Sequence, residues 1–209
     1  MMKLANKFLT TALLSAAFAA PVAVAQQSTA YVTFQQPFAS STPDKVEVLE
    51  FFSYTCGHCA AIAPMISQWE QELPEGAVML HVPVAFNASM QPTQRFYYAI
   101  EALGRLDLHQ KLFDAIHKER QRLFTDEALI DWAAKQGVEK DQIASAMSSF
   151  GVTSKANNAR KLTDSYAVEG TPSIAVGGRY LTSPSMTGTY ESSIQQAQKL
   201  LDQVLAEQK

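Results

Sequence analysis

The sequence predicts an α/β fold in which a small sheet is interrupted by an all-helical insertion. Strand-like runs at 31–34, 46–52 and 78–86 enclose one amphipathic helix. From 92 to 167 the apolar residues recur at helical spacing throughout. Strand texture then returns on either side of Gly177-Gly178, a hairpin signal, and the chain ends in an amphipathic helix. The sheet is therefore expected from residues 26–91 and 168–209, and the inserted helical domain from 92–167.

The elements follow in order. Tyr31-Val32-Thr33-Phe34 is β-branched and aromatic, and Pro37 ends it. Residues 46–52 make the strongest strand, apolar on both faces apart from Glu47 and Glu50, as in a central strand covered on both sides. A helix begins at Gly57 and runs to about Leu73, with Ile62, Met65, Ile66 and Trp69 as its stripe and a kink expected at Pro64. In the insertion, Phe96, Ile100 and Leu103 define one helical face, and Leu108, Leu112, Phe113 and Ile116 the next. Thr125 caps a helix carrying Leu129, Trp132 and Ala133. Ile143, Met147 and Phe150 form a short helix ended by Gly151, and Ala156, Ala159, Leu162 and Tyr166 a longer one. Ser183-Pro184-Ser185 reads as a loop before the last helix, 194–205.

Residues 1–25 read as a cleaved signal peptide: Lys3 and Lys7 precede a short apolar run, and Ala23-Val24-Ala25 fits a peptidase site. Their removal takes two lysines and no acid, moving the formal net charge from −3 to −5. That acidity argues against a nucleic-acid surface, and no later segment approaches membrane-spanning length.

The 209 residues hold two cysteines, Cys56 and Cys59, at the strand-to-helix junction. The ring they could close is too small to stabilise the fold much, so the pair points to chemistry. At a helix N-terminus, free N–H groups and the macrodipole favour a Cys56 thiolate, by about 0.3–1 kcal/mol and up to about 2. His58 adds a donor, and a charge when protonated. Cys59, a turn further in, would be shielded and act as the resolving thiol. A zinc knuckle needs about four ligands, whereas His81, His109 and His117 are scattered over different elements. Haem attachment needs a histidine where Ala60 stands. An inert local disulfide stays open as the bland alternative. Glu50, a charge inside an apolar strand, could sit beneath the pair and exchange a proton with Cys59; a structural acid held by a hydrogen bond is the other reading. Thr171-Pro172 precedes a strand, and composition alone favours an ordinary trans bond.

Together, Val48-Leu49-Glu50-Phe51-Phe52-Ser53, Cys56-Gly57-His58-Cys59, Leu73-Pro74-Glu75-Gly76 and Gly170-Thr171-Pro172 resemble the DsbA family of periplasmic thiol oxidases, over essentially the whole chain after residue 25. The resemblance implies a thioredoxin fold with an inserted all-helical domain. By it, Cys56 is the exposed nucleophile, Cys59 its buried partner, His58 the thiolate-stabilising histidine and Glu50 the buried acid. Pro172 becomes a cis-proline facing the pair, with Thr171 offering its backbone to an extended substrate. Gly57 stands where the best-known members have proline, and His81 lies where some relatives place a lysine. Ala60 and Ala61 predict a shallow groove. The implied function is a periplasmic dithiol oxidase whose redox-active Cys56-Cys59 disulfide is its only redox group, with no metal. Its partners would be reduced or unfolded exported proteins and a quinone-linked, DsbB-like inner-membrane oxidase, and it would act as a monomer. An isomerase or reductase of the same fold, or a non-catalytic metal- or peptide-binding module, are the alternatives.

Overall fold

The computed structural model describes residues 30–207; the expected signal peptide lies outside them. Five strands form one sheet: β1 (Val32–Thr33), β2 (Val46–Phe52), β3 (Ala77–Pro83), β4 (Ser173–Val176) and β5 (Tyr180–Thr182), in spatial order β1-β5-β4-β2-β3. β2 is central, parallel to β3 and antiparallel to β4. All seven of its residues are buried, as a strand covered on both faces requires.

One face of the sheet packs against two helices. Val46, Val48, Ile174 and Val176 meet Ile62, Ile66 and Trp69 of α1 (Gly57–Gln71) and Leu200, Leu201 and Val204 of α8 (Tyr190–Glu207). α1 runs unbroken through Pro64. The other face, with Leu49, Phe51, Ala175 and Leu181, belongs to a core continuous with the helical insertion. That insertion is α2 (Gln91–Ala102), α3 (Leu108–His117), α4 (Asp126–Lys135), α5 (Lys140–Ser148) and α6 (Phe150–Ser165), all between β3 and β4. Phe52 at the end of β2 meets Tyr97 of α2 and Phe113 of α3, so the insertion is anchored where the strand hands over to the cysteine motif.

Two local expectations fail. Phe150 does not extend the apolar face of α5; it is 87 % exposed, and Gly151 lies in the first turn of α6. The cause is Ser149, whose Oγ accepts from Val152 N (3.2 Å) and starts a new helix there. Ser183-Pro184-Ser185 is not a plain loop: Pro184 opens a one-turn helix, α7 (Pro184–Thr187), its fixed φ suiting a first helical position.

Candidate active site

Cys56 is the N-cap of α1, with extended backbone (φ −96°, ψ 114°), and its sulfur accepts from Cys59 N at 3.4 Å. Both cysteines stand as free thiols, Cys56 half-buried and Cys59 wholly buried. One backbone turn thus gives the two sulfurs opposite environments. A hydrogen bond from the Cys59 thiol holds Cys56 far below the ordinary thiol value, at about 5, against an upward push from burial. The Thr171 side chain and the N–H groups of Cys59 and His58 add to the lowering. As a thiol, Cys56 also donates to the Thr171 carbonyl at 3.2 Å; that bond requires the proton and works against ionisation, but the donors outweigh it. Burial, then the hydrogen bond to Cys56 and its charge, push Cys59 strongly upward.

The Thr171-Pro172 peptide is cis, as the resemblance implied and composition did not. It forms one wall of a groove of about 650 Å³, which continues along Leu181, Met186 and Tyr190. Ala60 and Ala61 do not line that groove, so their small size does not set its depth. His58 is exposed, and its Nδ1 hydrogen-bonds the Tyr190 hydroxyl at 2.7 Å, across 132 positions of sequence. The contribution of His58 to the Cys56 thiolate thus runs through its backbone N–H, while its ring rests on the first residue of α8.

Glu50 is 2 % exposed. The parallel register sets it opposite His81, and His81 Nδ1 lies 2.5 Å from Glu50 Oε2. The other ring nitrogen reaches Glu70 Oε2 of α1 at 3.3 Å. Burial alone would lower His81; the hydrogen bonds and charges of Glu50 and Glu70 reverse this and raise it to about 10, while the bond to His81 lowers Glu70. The histidines that look scattered in sequence converge here. The His109 ring centroid is 5.7 Å from that of His81, and burial followed by the His81 charge holds His109 down at about 3. Neutral His109 is hydrogen-bonded through Nδ1 to the Tyr54 hydroxyl (2.6 Å), and His117 Nε2 donates to the Tyr54 carbonyl (2.8 Å). Glu70, His109 and Tyr190 carried no signal in the sequence: each gains its meaning from a partner at least eleven positions away.

The family comparison agrees with this geometry. Residues 65–195 match the DSBA-like thioredoxin domain family. The chain is 46% identical over 188 residues to the thiol:disulfide interchange protein DsbA of Bordetella pertussis, covering 90% of this chain and 88% of that one. It is 33% identical over 201 residues to the protein of the same name from Pseudomonas aeruginosa, covering 94% and 95%. Among solved structures, the crystal structure of Pseudomonas aeruginosa DsbA superposes with a TM-score of 0.81 at 32% identity, over 85% of this chain and 93% of that one. The oxidoreductase NmDsbA1 of N. meningitidis does so at 0.76 and 26%, over 87% and 95%. With a thiolate-biased Cys56, a buried Cys59 and a cis-proline opposite them, and with likeness along nearly its full length, this chain belongs to the DsbA family of thiol:disulfide oxidoreductases.

Proposed function

We propose that the protein is a periplasmic dithiol oxidase that donates its Cys56-Cys59 disulfide to newly exported, reduced proteins. A substrate thiolate attacks Cys56 Sγ, the Cys56–Cys59 bond breaks, and its electron pair leaves on Cys59. Cys59 takes up a proton. The second substrate thiolate attacks the substrate sulfur of the mixed disulfide and expels Cys56 as a thiolate. The substrate is oxidised by two electrons and the protein reduced by two. The observation that carries this reading is the opposed bias of the two sulfurs, Cys56 held at about 5 and Cys59 pushed far up. A stabilised Cys56 thiolate is a good leaving group and favours the reduced protein, which makes the disulfide oxidising.

The remaining residues take roles around that exchange. Glu50 supplies the proton to Cys59, and His58 tunes the thiolate. Thr171 and Pro172 present the wall on which an extended substrate adds as a strand. Residues 1–25 act as the export signal, 92–167 as the inserted domain, and the working unit is a monomer. A DsbB-like, quinone-linked inner-membrane oxidase restores the disulfide. The test is transfer from the oxidised protein to a reduced dithiol peptide, together with the reduction potential against glutathione. Stoichiometric peptide oxidation, lost in Cys56→Ser and stalled as a mixed disulfide in Cys59→Ser, is expected. No transfer, or a potential near the about −270 mV of thioredoxin, would point instead to a reductase.

A further inference from the structure

The first turns of α1 and α8 meet at the mouth of the groove, and His58 and Tyr190 are the side chains that join them. Tyr190 is held in place by its surroundings. Thr189 Oγ1 accepts from Ser192 N (3.0 Å) and caps the helix start, and the buried Ser193 Oγ donates to the Tyr190 carbonyl (2.7 Å). The half-buried Tyr190 also packs against the core that α1 and α8 share. Its hydroxyl therefore stands at a fixed point, 2.7 Å from His58 Nδ1, and this is the one hydrogen bond of the His58 ring among the described residues. Cys56 Sγ bonds elsewhere, to the Thr171 carbonyl and Cys59 N, although both cysteines are reduced. The His58 backbone N–H is among the groups that favour the thiolate; the imidazole is not.

We propose that Tyr190 is a positioning residue that sets the oxidising strength of the Cys56-Cys59 pair, by holding the His58 ring on α8 and away from the sulfur. The proposal rests on the reading of His58 as the residue that tunes the Cys56 thiolate. Helical side chains lean towards the N-terminus of their helix, and the N-terminus of α1 is where Cys56 Sγ stands. A His58 ring with no partner on α8 therefore turns back towards that sulfur. Neutral, it offers the thiolate an N–H; protonated, it adds an opposite charge. Either interaction exists only when Cys56 is a thiolate, so it stabilises the reduced protein and not the disulfide. With Tyr190 in place the ring must give up its hydroxyl partner to reach Cys56, and the loss offsets the gain. The other polar groups of the groove leave this bond undisturbed. Ser183 and Ser185 pair through their hydroxyls at 2.7 Å, and Ser173 Oγ donates to the Gly170 carbonyl (2.8 Å). Glu169 and Glu191, the two carboxylates of the lining, are exposed and bonded to neither side chain.

Tyr190→Phe keeps the aromatic wall and removes the hydroxyl alone. The experiment equilibrates the protein with glutathione at pH 7, where two glutathione thiols reduce one protein disulfide and leave one glutathione disulfide. Wild type, Tyr190→Phe, His58→Ala and the double variant are compared. Tyr190→Phe is expected to shift the equilibrium about three- to tenfold towards reduced protein, which is about 15–30 mV. The pH midpoint of the 240 nm thiolate absorbance should fall with it. In the His58→Ala background the same substitution is expected to shift neither quantity. A Tyr190→Phe protein that is unshifted, or more reducing, overturns the proposal. So does an equal shift in both backgrounds, since the hydroxyl would then act without the ring. The oxidase reading is decided separately, by the wild-type potential: a value near that of thioredoxin would overturn that reading, while the difference between the variants still decides this one.

Discussion

The thiolate bias of Cys56 has a consequence for stability that can be measured without any substrate. In the reduced protein the folded-state value of Cys56 is depressed to about 5 from an ordinary 9.0. A depressed acid stabilises the fold where it is ionised. The contribution is absent below pH 5, grows as pH rises, and is complete near the unfolded value. At pH 7 the span above 5 is worth about 2.7 kcal/mol at 1.36 kcal/mol per pH unit. The sulfur is only half-buried, so solvent screening cuts this to about 1–1.5 kcal/mol. His81 acts with the opposite sign. Its raised value gives stability that is full below 6.5 and is lost as pH rises towards 10. The measurement must therefore be a difference. Urea unfolding of reduced wild type and of Cys56→Ser is compared at pH 4.5, 6, 7 and 8, so that the His81 slope cancels. With a urea m-value of about 2 kcal/mol/M, the wild-type midpoint should gain about 0.6 M on the variant between pH 4.5 and 7. Thiolate absorbance at 240 nm should titrate near the same pH 5. A midpoint difference independent of pH, or an absorbance midpoint at that of an ordinary cysteine, would refute the reasoning.

Two further substitutions test the scaffold around the pair. Gly57 is the first residue of α1, Cys56 before it already has the extended backbone that proline requires of its predecessor, and the nearest atom to an added Cβ is His117 Nδ1 at 3.9 Å. The Gly57 N–H is not among the donors that lower Cys56. Gly57→Pro should therefore raise stability by about 0.4–1 kcal/mol in thermal unfolding while the 240 nm titration stays in place; a destabilised protein would show that the site has no room. Glu47 is buried, and its Oε1 accepts from Ser41 N (2.8 Å), Ser41 Oγ (2.7 Å) and Thr42 N (2.7 Å). Glu47→Ala orphans those donors and should cost about 2–3 kcal/mol in urea unfolding; a loss under about 0.5 kcal/mol would mean that the 40–47 segment is not held by this carboxylate.

What the sequence made legible follows from range. β2 was readable because seven consecutive residues share one burial rule, and α1 because its stripe repeats within four residues. Phe150 was misplaced because its spacing suits α5, while a serine one residue earlier restarts the helix and turns the ring outward. In the site, Cys56 and Cys59 announce themselves by adjacency, and Glu50 by being a charge among apolar neighbours. The cis form of Thr171-Pro172 is invisible to composition and came through the family pattern. His81 gains its partner only when the parallel register of β2 and β3 is known, since antiparallel pairing or a slip of one residue would send it elsewhere. Tyr190 meets His58 only because α8 begins at the mouth of the groove.

The opposed states of the two cysteines then trace to a single turn of backbone. The N-cap position leaves Cys56 facing Thr171 and the groove, and one turn carries Cys59 under α1 into the core. The proposed exchange therefore draws its substrate thiolate from the groove side, while Cys59 is shielded from it. Substitutions along Leu181, Met186 and Tyr190 change the groove wall without changing the groups that face His81. Changes at His81 or Glu70 fall outside the groove and leave that wall unchanged. A chain built this way can retune its oxidising centre one side at a time, which a pair of equally exposed cysteines could not.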